Sequence, residues 1–227
     1  MLTAELHSHS ALSHDGRDPV DLLLEQARTV GLDALAVTDH DAIDASLEAA
    51  ERAADYGLLG IPGVEVTSAA GHVLALGVEE LVPAGLPFDE TVERIRDAGG
   101  AAVVPHPFQR TRSGVAANVT RAQLADVDAI EVYNSRLLTG RANRKARNFA
   151  AELDIPMTAG SDAHIAEMVG QAPTALDVET RDVSGVVDAI RAGRTEFQGK
   201  RTPWHISLRQ AAGGVRRRVH HRVDALL

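Results

Sequence analysis

The 227-residue sequence contains no cysteine. This absence excludes disulfide bonds, thiolate metal ligands and a cysteine nucleophile. The sequence also lacks any apolar run near the roughly 20 residues that a bilayer-spanning helix needs. Its first residues, Met1 to Glu5, lack the basic and then apolar pattern of a signal peptide. We therefore expect a cytoplasmic protein with no membrane partner.

Positive charge is also scarce. The formal net charge is −9, and Lys145 and Lys200 are the only lysines. A protein that coats nucleic acid needs a basic surface, so we expect no stable nucleic-acid partner. A length of 227 residues suits one domain with a substantial core, and no internal repeat or low-complexity linker divides the chain.

Short apolar runs alternate with amphipathic patterns along the chain. We predict strands near residues 3–8, 34–38, 59–67, 72–78, 101–105, 129–133, 156–159 and 174–178. We predict helices near residues 19–30, 43–56, 89–98, 121–125, 140–153 and 183–192. About seven strands that alternate with helices predict a mostly parallel α/β sheet. The periodicity does not decide between a closed barrel and an open doubly wound sheet.

Histidines and carboxylates lie at or just beyond the ends of these predicted strands. They are His7, His9, Asp15, His40, Glu65, His72, His106, Asp162 and His164. Parallel barrels and open sheets build their sites from the loops at this edge. Imidazole and carboxylate ligands together suit manganese, iron or zinc, and a bridging carboxylate holds two cations close together. We therefore predict a site for two or three divalent metal ions, a type of site that activates water against phosphorus.

The motifs that contain these residues resemble a known family. In order, they are Glu5-Leu6-His7-Ser8-His9-Ser10, Ser13-His14-Asp15-Gly16, Thr38-Asp39-His40-Asp41, Gly63-Val64-Glu65, His106-Pro107 and Ser161-Asp162-Ala163-His164. This ordered set is similar to that of PHP-domain (polymerase and histidinol phosphatase) proteins, over roughly residues 3–178. The resemblance implies a single-domain, distorted (β/α)7 TIM-like barrel in residues 1–200. Residues 201–227 are then expected to form a helical extension packed on the barrel.

The resemblance also implies how the ligands divide among three metals. One metal is held by His7, His9, Glu65 and Asp162. Glu65 bridges to a second metal, which His72 and His106 complete. The third metal takes Asp15, His40 and His164. The family pattern has no ligand at His14, which is therefore left out of the set.

The implied activity is metal-dependent hydrolysis of a phosphate ester of a nucleotide or small metabolite. Metal-bound water attacks phosphorus, and no protein nucleophile is required. Arg110, Arg112 and Arg136 follow strand ends and are predicted to bind the substrate phosphate. Glu131 and Asn134 either orient a ligand histidine or only end a strand.

Two other functions remain open. The first is an exonuclease-type phosphodiesterase on short RNA or DNA, whose direct support is the basic stretch at residues 215–223. The second is a non-catalytic metal-stabilised binding or regulatory domain. Loss of one or two ligands would be the sequence signature of that second function, and none is missing.

Overall fold

The computed structural model describes residues 1–109, 111, 113–136, 140–197 and 199. The predicted C-terminal extension at residues 201–227 and the predicted phosphate ligands Arg110 and Arg112 lie outside the described residues. Across the described part of the chain, no helix has both the length and the apolar character that crossing a membrane requires.

Nine strands form one sheet in the described residues. In chain order they are β1 (Leu2–Glu5), β2 (Ala34–Val37), β3 (Leu59–Ser68), β4 (Gly71–Leu76), β5 (Ala101–Val104), β6 (Ala129–Asn134), β7 (Met157–Gly160), β8 (Thr174–Leu176) and β9 (Thr195–Phe197). Their order across the sheet is β7-β6-β5-β4-β3-β2-β1-β8-β9. The strand β9 is absent from the sequence-based prediction, and the other eight lie where strands are predicted.

The sheet curls until its two edges nearly meet. The hydroxyl of Thr174 on β8 donates to the Ala159 carbonyl on β7 at 3.0 Å, and that of Thr195 on β9 donates to the Met157 carbonyl at 2.7 Å. These side-chain bonds join the two edges in place of a continuous ladder. The predicted α/β fold class, a distorted TIM-like barrel in a single domain, is therefore confirmed.

The sheet is less parallel than the alternation of elements predicts. Parallel pairs join β1 to β2, β2 to β3, β5 to β6 and β6 to β7. Antiparallel pairs join β3 to β4, β4 to β5, β1 to β8 and β8 to β9. The physical reason is clearest between β3 and β4, because only Ala69 and Ala70 connect them, and so short a turn permits only an antiparallel return.

All six predicted helices are present. They are α1 (Val20–Thr29), α2 (Asp44–Arg52), α3 (Phe88–Asp97), α4 (Arg121–Ala125), α5 (Arg141–Leu153) and α6 (Val183–Arg191). Helix α1 buries Val20, Leu23, Leu24 and Ala27, one face of a 3.6-residue period. Short 3-10 turns follow at Ala53–Tyr56, Val115–Ala117 and Ala166–Met168.

Apolar side chains fill both the barrel interior and the layer beneath the outer helices. On β5, Ala101 and Val103 belong to an inner cluster with residues of β1, β4 and β8, whereas Ala102 and Val104 pack outward with residues of α3 and α5. This alternation follows from the two-residue period of a strand. Helix α6 packs against β3, β5 and β8 and adds Val186 and Ile190 to the inner cluster. Helix α6 closes the end of the barrel where β5 begins. The polar side chains therefore gather at the opposite end.

Candidate metal centre

The nine predicted ligands come together at the end of the barrel where the parallel strands finish. His7, His9 and Asp15 follow β1, and His40 follows β2. His106 follows β5, and Asp162 and His164 follow β7. Glu65 and His72 lie within β3 and β4, the antiparallel hairpin that crosses this end.

The carboxylate of Glu65 is the centre of the group. Its Oε2 lies 3.3 Å from Nε2 of His7, 3.2 Å from Nε2 of His9 and 3.3 Å from Nδ1 of His40. Its Oε1 lies 2.8 Å from Nδ1 of His72 and 3.4 Å from Nε2 of His106. The two oxygens therefore face different sets of histidines, as expected of a carboxylate shared between two cations.

A second carboxylate, that of Asp15, faces another pair of histidines. Its Oδ2 lies 2.5 Å from Nε2 of His164, and its Oδ1 lies 3.7 Å from Nε2 of His40. Oδ1 of Asp162 lies 3.2 Å from Nδ1 of His164 and 3.7 Å from Nε2 of His9. Asp162 thus connects the group around Asp15 to the group around Glu65.

Several atoms of the predicted ligands are buried without a hydrogen-bond partner. In the described part of the chain they are both ring nitrogens of His9, Nδ1 of His40, His72 and His106, and Oε1 of Glu65. An unpaired buried polar atom costs roughly 1–3 kcal/mol, so such atoms are rare unless something absent from the polypeptide pairs with them. All of the unpaired atoms belong to predicted ligands. The donor set therefore fits divalent cations that accept nitrogen and oxygen ligands, such as manganese, iron or zinc.

The pKa shifts of His9 and Glu65 favour cation binding. Burial, together with the nearby His164 ring, lowers the pKa of His9 to about 3. Burial alone would raise the pKa of Glu65, but His7 and His106 hold it well below its ordinary value. A neutral imidazole and a charged carboxylate are the forms in which these groups bind metals.

The loops that hold the ligands are fixed by local bonds. The Asp39 carboxylate accepts hydrogen bonds from the backbone N–H of Ser10 at 2.6 Å and from its hydroxyl at 2.5 Å. His106 and Asp162 have positive φ angles of 31° and 51°. This backbone region costs a non-glycine residue about 1–2 kcal/mol, which the surrounding contacts must offset.

A cavity of about 470 Å³ opens above the centre. Its lining includes His14, Thr67, Thr111 and Ser113 together with the predicted ligands. The exposed His14, which the sequence-based set omits, has its ring centroid 4.8 Å from that of His40. In the sequence, the signal for His14 is its position next to Asp15. In the structure, His14, Asp15 and His40 form a group whose potential ligand atoms lie close enough together to hold a metal ion.

Arg136 is the predicted phosphate ligand that falls within the described residues. Its NH1 donates to Oδ1 of Asp162 at 2.9 Å and lies 2.8 Å from Nε2 of His164. Arg136 also lines the cavity, so a permanent positive charge stands beside the centre.

Glu5 is a buried carboxylate that sequence reasoning did not single out. It accepts backbone N–H bonds from Ser161 at 2.9 Å, Gly170 at 3.0 Å and His7 at 3.2 Å. Burial raises the pKa of Glu5 to about 7. Glu5 therefore ties the loop after β7 to the end of β1, beneath the ligands.

Comparison with known proteins agrees with this fold and donor set. Residues 5–99 match the PHP domain model, and residues 140–195 match the PHP-associated model. An uncharacterised protein of Methanocaldococcus jannaschii is 33% identical over 175 residues, which are 75% of this chain and 69% of the relative. The chain belongs to the PHP-domain family, as its motifs predict.

Solved structures share the fold at lower identity. A two-domain protein of Bacteroides vulgatus, described as containing a predicted PHP-like metal-dependent phosphoesterase, superposes with a TM-score of 0.73 and 21% identity. The match covers 87% of this chain but only 64% of that longer chain.

Two further matches carry more specific names. A phosphoribosyl 1,2-cyclic phosphate 1,2-diphosphodiesterase of Eggerthella lenta is 38% identical over 86 residues, which are 35% of this chain and 32% of the relative. A lesion-specific endonuclease of Pyrococcus furiosus superposes with a TM-score of 0.60 and 16% identity, covering 86% of this chain and 57% of that chain. The proteins that this chain resembles in sequence or in fold thus include enzymes named for a cyclic phosphodiester and for nucleic acid.

Proposed function

We propose that this protein is a metal-dependent phosphoester hydrolase that acts on the phosphate ester of a nucleotide or small metabolite. The observation that carries the proposal is the cluster of buried, unpaired ligand atoms around Glu65. Divalent cations in such a site supply two things, activation of water and neutralisation of charge on the phosphoryl oxygens. Membership of the PHP-domain family supports the same chemistry.

The proposed ligand sets follow the way the carboxylates face the histidines. We assign His7, His9, Glu65 and Asp162 to one cation. We assign Glu65, His72 and His106 to a second, because Oε1 of Glu65 faces these two rings while Oε2 faces His7 and His9. We assign Asp15, His40 and His164 to a third, because the two oxygens of Asp15 face these two rings.

The side chains around the centre have the role of binding and orienting the substrate. Arg136 borders both the cavity and Asp162, so a phosphate that enters the cavity comes within reach of its guanidinium. No side chain is assigned as nucleophile in this proposal, because activated water fills that role. The cavity volume of about 470 Å³ falls in the range typical of small-molecule sites, which supports a small substrate.

The test is hydrolysis by protein reconstituted with Mn²⁺, measured against a panel of phosphate esters. The panel holds nucleoside monophosphates, nucleoside bisphosphates, histidinol phosphate, a chromogenic phosphodiester and short oligonucleotides. Chelator-sensitive turnover of a small ester, absent in His7→Ala, is the expected result. A protein that binds Mn²⁺ and turns over no member of the panel overturns the proposal and favours a non-catalytic binding or regulatory domain.

An exonuclease-type activity on short RNA or DNA is the second candidate. The shared fold with the Pyrococcus furiosus endonuclease supports it. Contacts to several phosphates make binding of nucleic acid fall steeply with salt, whereas a single phosphate group gives a shallow dependence. Turnover of oligonucleotides in preference to mononucleotides, with an apparent affinity that falls steeply as salt rises, would favour this candidate over the first.

A further inference from the structure

Glu131 lies beneath the metal centre and contacts two of its proposed ligands. It belongs to β6 and is only 2% exposed. Its Oε1 lies 2.9 Å from Nδ1 of His7. Its Oε2 accepts hydrogen bonds from the backbone N–H of His106 at 2.9 Å and from Nδ2 of Asn134 at 3.0 Å. One buried carboxylate thus joins two proposed ligands that follow different strands.

The bond to His7 places a proton on Nδ1 of that ring. A carboxylate oxygen only accepts, so Nδ1 of His7 must be the donor. A cation at Nε2 needs the lone pair of that nitrogen, so a proton held on Nδ1 leaves the required atom available. Without a cation, Nε2 is itself within hydrogen-bonding distance of Oε2 of Glu65, at 3.3 Å. Carboxylates behind ligating histidines fix the tautomer and the ring orientation in this way.

The bond to His106 restrains the main chain. The φ angle of His106 is 31°, in a region that non-glycine residues seldom adopt. An acceptor on its N–H therefore helps to hold the backbone in this conformation. Through its two oxygens, Glu131 holds a proton on Nδ1 of His7 and restrains the backbone of His106.

The neighbouring strand β7 packs closely against the contact between Glu131 and His7. Gly160 on β7 lies against Glu131 and His7, and a Cβ at this position would approach Cβ of His7 to 2.5 Å and also collide with Oε1 of Glu131. Only glycine leaves room here. The close fit of β7 is an observation independent of the hydrogen bonds, and it indicates that the pair occupies a fixed place.

We propose that Glu131 is a positioning residue that holds His7 as the Nδ1–H tautomer and fixes His106, so that both rings are ready to bind cations. It is not itself assigned as a ligand, since both of its oxygens are engaged by donors from the chain. This inference rests on the proposed metal-dependent function, because it concerns the same centre.

Glu131→Gln is the informative substitution, because it keeps the size of the side chain and replaces one acceptor oxygen with an NH₂ donor. Oε2 of Glu131 receives two N–H groups, so the amide oxygen is expected to take its place. The amide NH₂ then faces Nδ1 of His7, which must become an acceptor, and the ring proton moves to Nε2. The nitrogen proposed to bind a cation is thereby blocked.

The control is Asp128→Asn, which removes a carboxylate charge just before β6. Asp128 accepts the backbone N–H of Ala102 at 2.7 Å and pairs with Arg96 at 3.1 Å, at the opposite end of the strand from the centre. Loss of this carboxylate matches the charge change of Glu131→Gln without touching a proposed ligand.

Two measurements on the full chain test the proposal without any substrate. Nitrogen-15 spectra of the metal-free protein show whether Nδ1 of His7 has a proton, with the His7 signals assigned by their loss in His7→Gln. Calorimetric titration with Mn²⁺ measures affinity. We expect a proton on Nδ1 of His7 in the wild type and in Asp128→Asn, no proton on Nδ1 in Glu131→Gln, and an affinity for Mn²⁺ roughly 10–100-fold weaker in Glu131→Gln alone.

A proton that stays on Nδ1 of His7 in Glu131→Gln overturns the proposal, as does an equal loss of affinity in Asp128→Asn. Failure of the proposed function looks different. A wild type that binds Mn²⁺ but hydrolyses nothing leaves the role of Glu131 intact. A wild type that binds no Mn²⁺ overturns the metal centre, and with it the readiness of His7 and His106 for cations.

Discussion

Nδ1 of His72 lies 2.8 Å from Oε1 of Glu65, yet neither atom has a hydrogen-bond partner. The two atoms are close, but their geometry is not that of a donor and an acceptor. Both are buried, so water does not satisfy them. Two ligands that face one cation show this relationship, and the same carboxylate faces His7 and His9, which follow β1, through its other oxygen.

Glu65→Gln is therefore expected to remove more than one bound cation. The amide loses the negative charge that two cations share, and its NH₂ group repels them. Mn²⁺ content measured by mass spectrometry should fall by more than one ion per chain. Hydrolysis should fall by more than the roughly 10–100-fold typical of residues that only orient a ligand. Glu90→Gln on α3, a side chain 41% exposed, is the control and should change neither quantity. Full metal content in Glu65→Gln would contradict the shared role.

Removal of metal is expected to lower thermal stability. A ligand that binds only the folded state stabilises it by about 2.7 kcal/mol at 100 times its dissociation constant. For a chain of 227 residues this corresponds to a rise in Tm of roughly 5–10 °C. Melting curves with chelator and then with excess Mn²⁺ should differ by this amount, and the difference should shrink in His7→Ala. Equal curves in the wild type would argue against a cation site in the folded protein.

The fold was largely predictable because its helices have clear apolar faces. Helix α1 occupies the residues that the spacing of Val20, Leu23, Leu24 and Ala27 predicts. The strand β9 was not predictable, since Thr195, Glu196 and Phe197 form too short a run to have a pattern. It becomes a strand only by pairing with β8, from which it is separated in the sequence by the segment that contains α6. Barrel closure likewise depends on contacts between distant residues, which local periodicity does not encode.

The candidate site is likewise predictable from the sequence only in part. Histidines and carboxylates at strand ends are visible in the sequence, and the structure brings all nine together. The roles of Glu5 and Glu131 were less accessible, because a carboxylate within a strand has no signature that tells which way it points. The register of β6 with β7 shifts between Glu131 and Tyr133, so strict alternation does not hold there. His14 was omitted for a different reason, that the family pattern has no ligand at its position.

Gly160→Ala should disturb the metal centre through packing alone. The added methyl group collides with His7 and Glu131, both of which are buried. Overpacking of this kind costs about 1–3 kcal/mol of folding free energy. Urea unfolding should show this loss, and the affinity for Mn²⁺ should fall with it. Gly140→Ala is a matched control, because a Cβ there meets nothing within 4 Å and the φ angle is −70°. A Gly160→Ala protein as stable as the wild type would show that β7 has more freedom than the structure indicates.

Arg136 distinguishes substrate binding from metal binding. If its guanidinium binds the substrate phosphate, Arg136→Ala loses a charge-assisted hydrogen bond of about 1.5–3 kcal/mol and raises KM roughly 10–100-fold. Arg136→Lys keeps the charge but not the planar fork and should recover only part of the loss. Mn²⁺ content should stay at the wild-type value in both variants. Arg94→Ala on α3, an equal change of charge at a side chain 59% exposed, should leave KM unchanged. The opposite pattern, an unchanged KM with altered Mn²⁺ affinity, would assign Arg136 to the support of Asp162 and His164, which it already contacts.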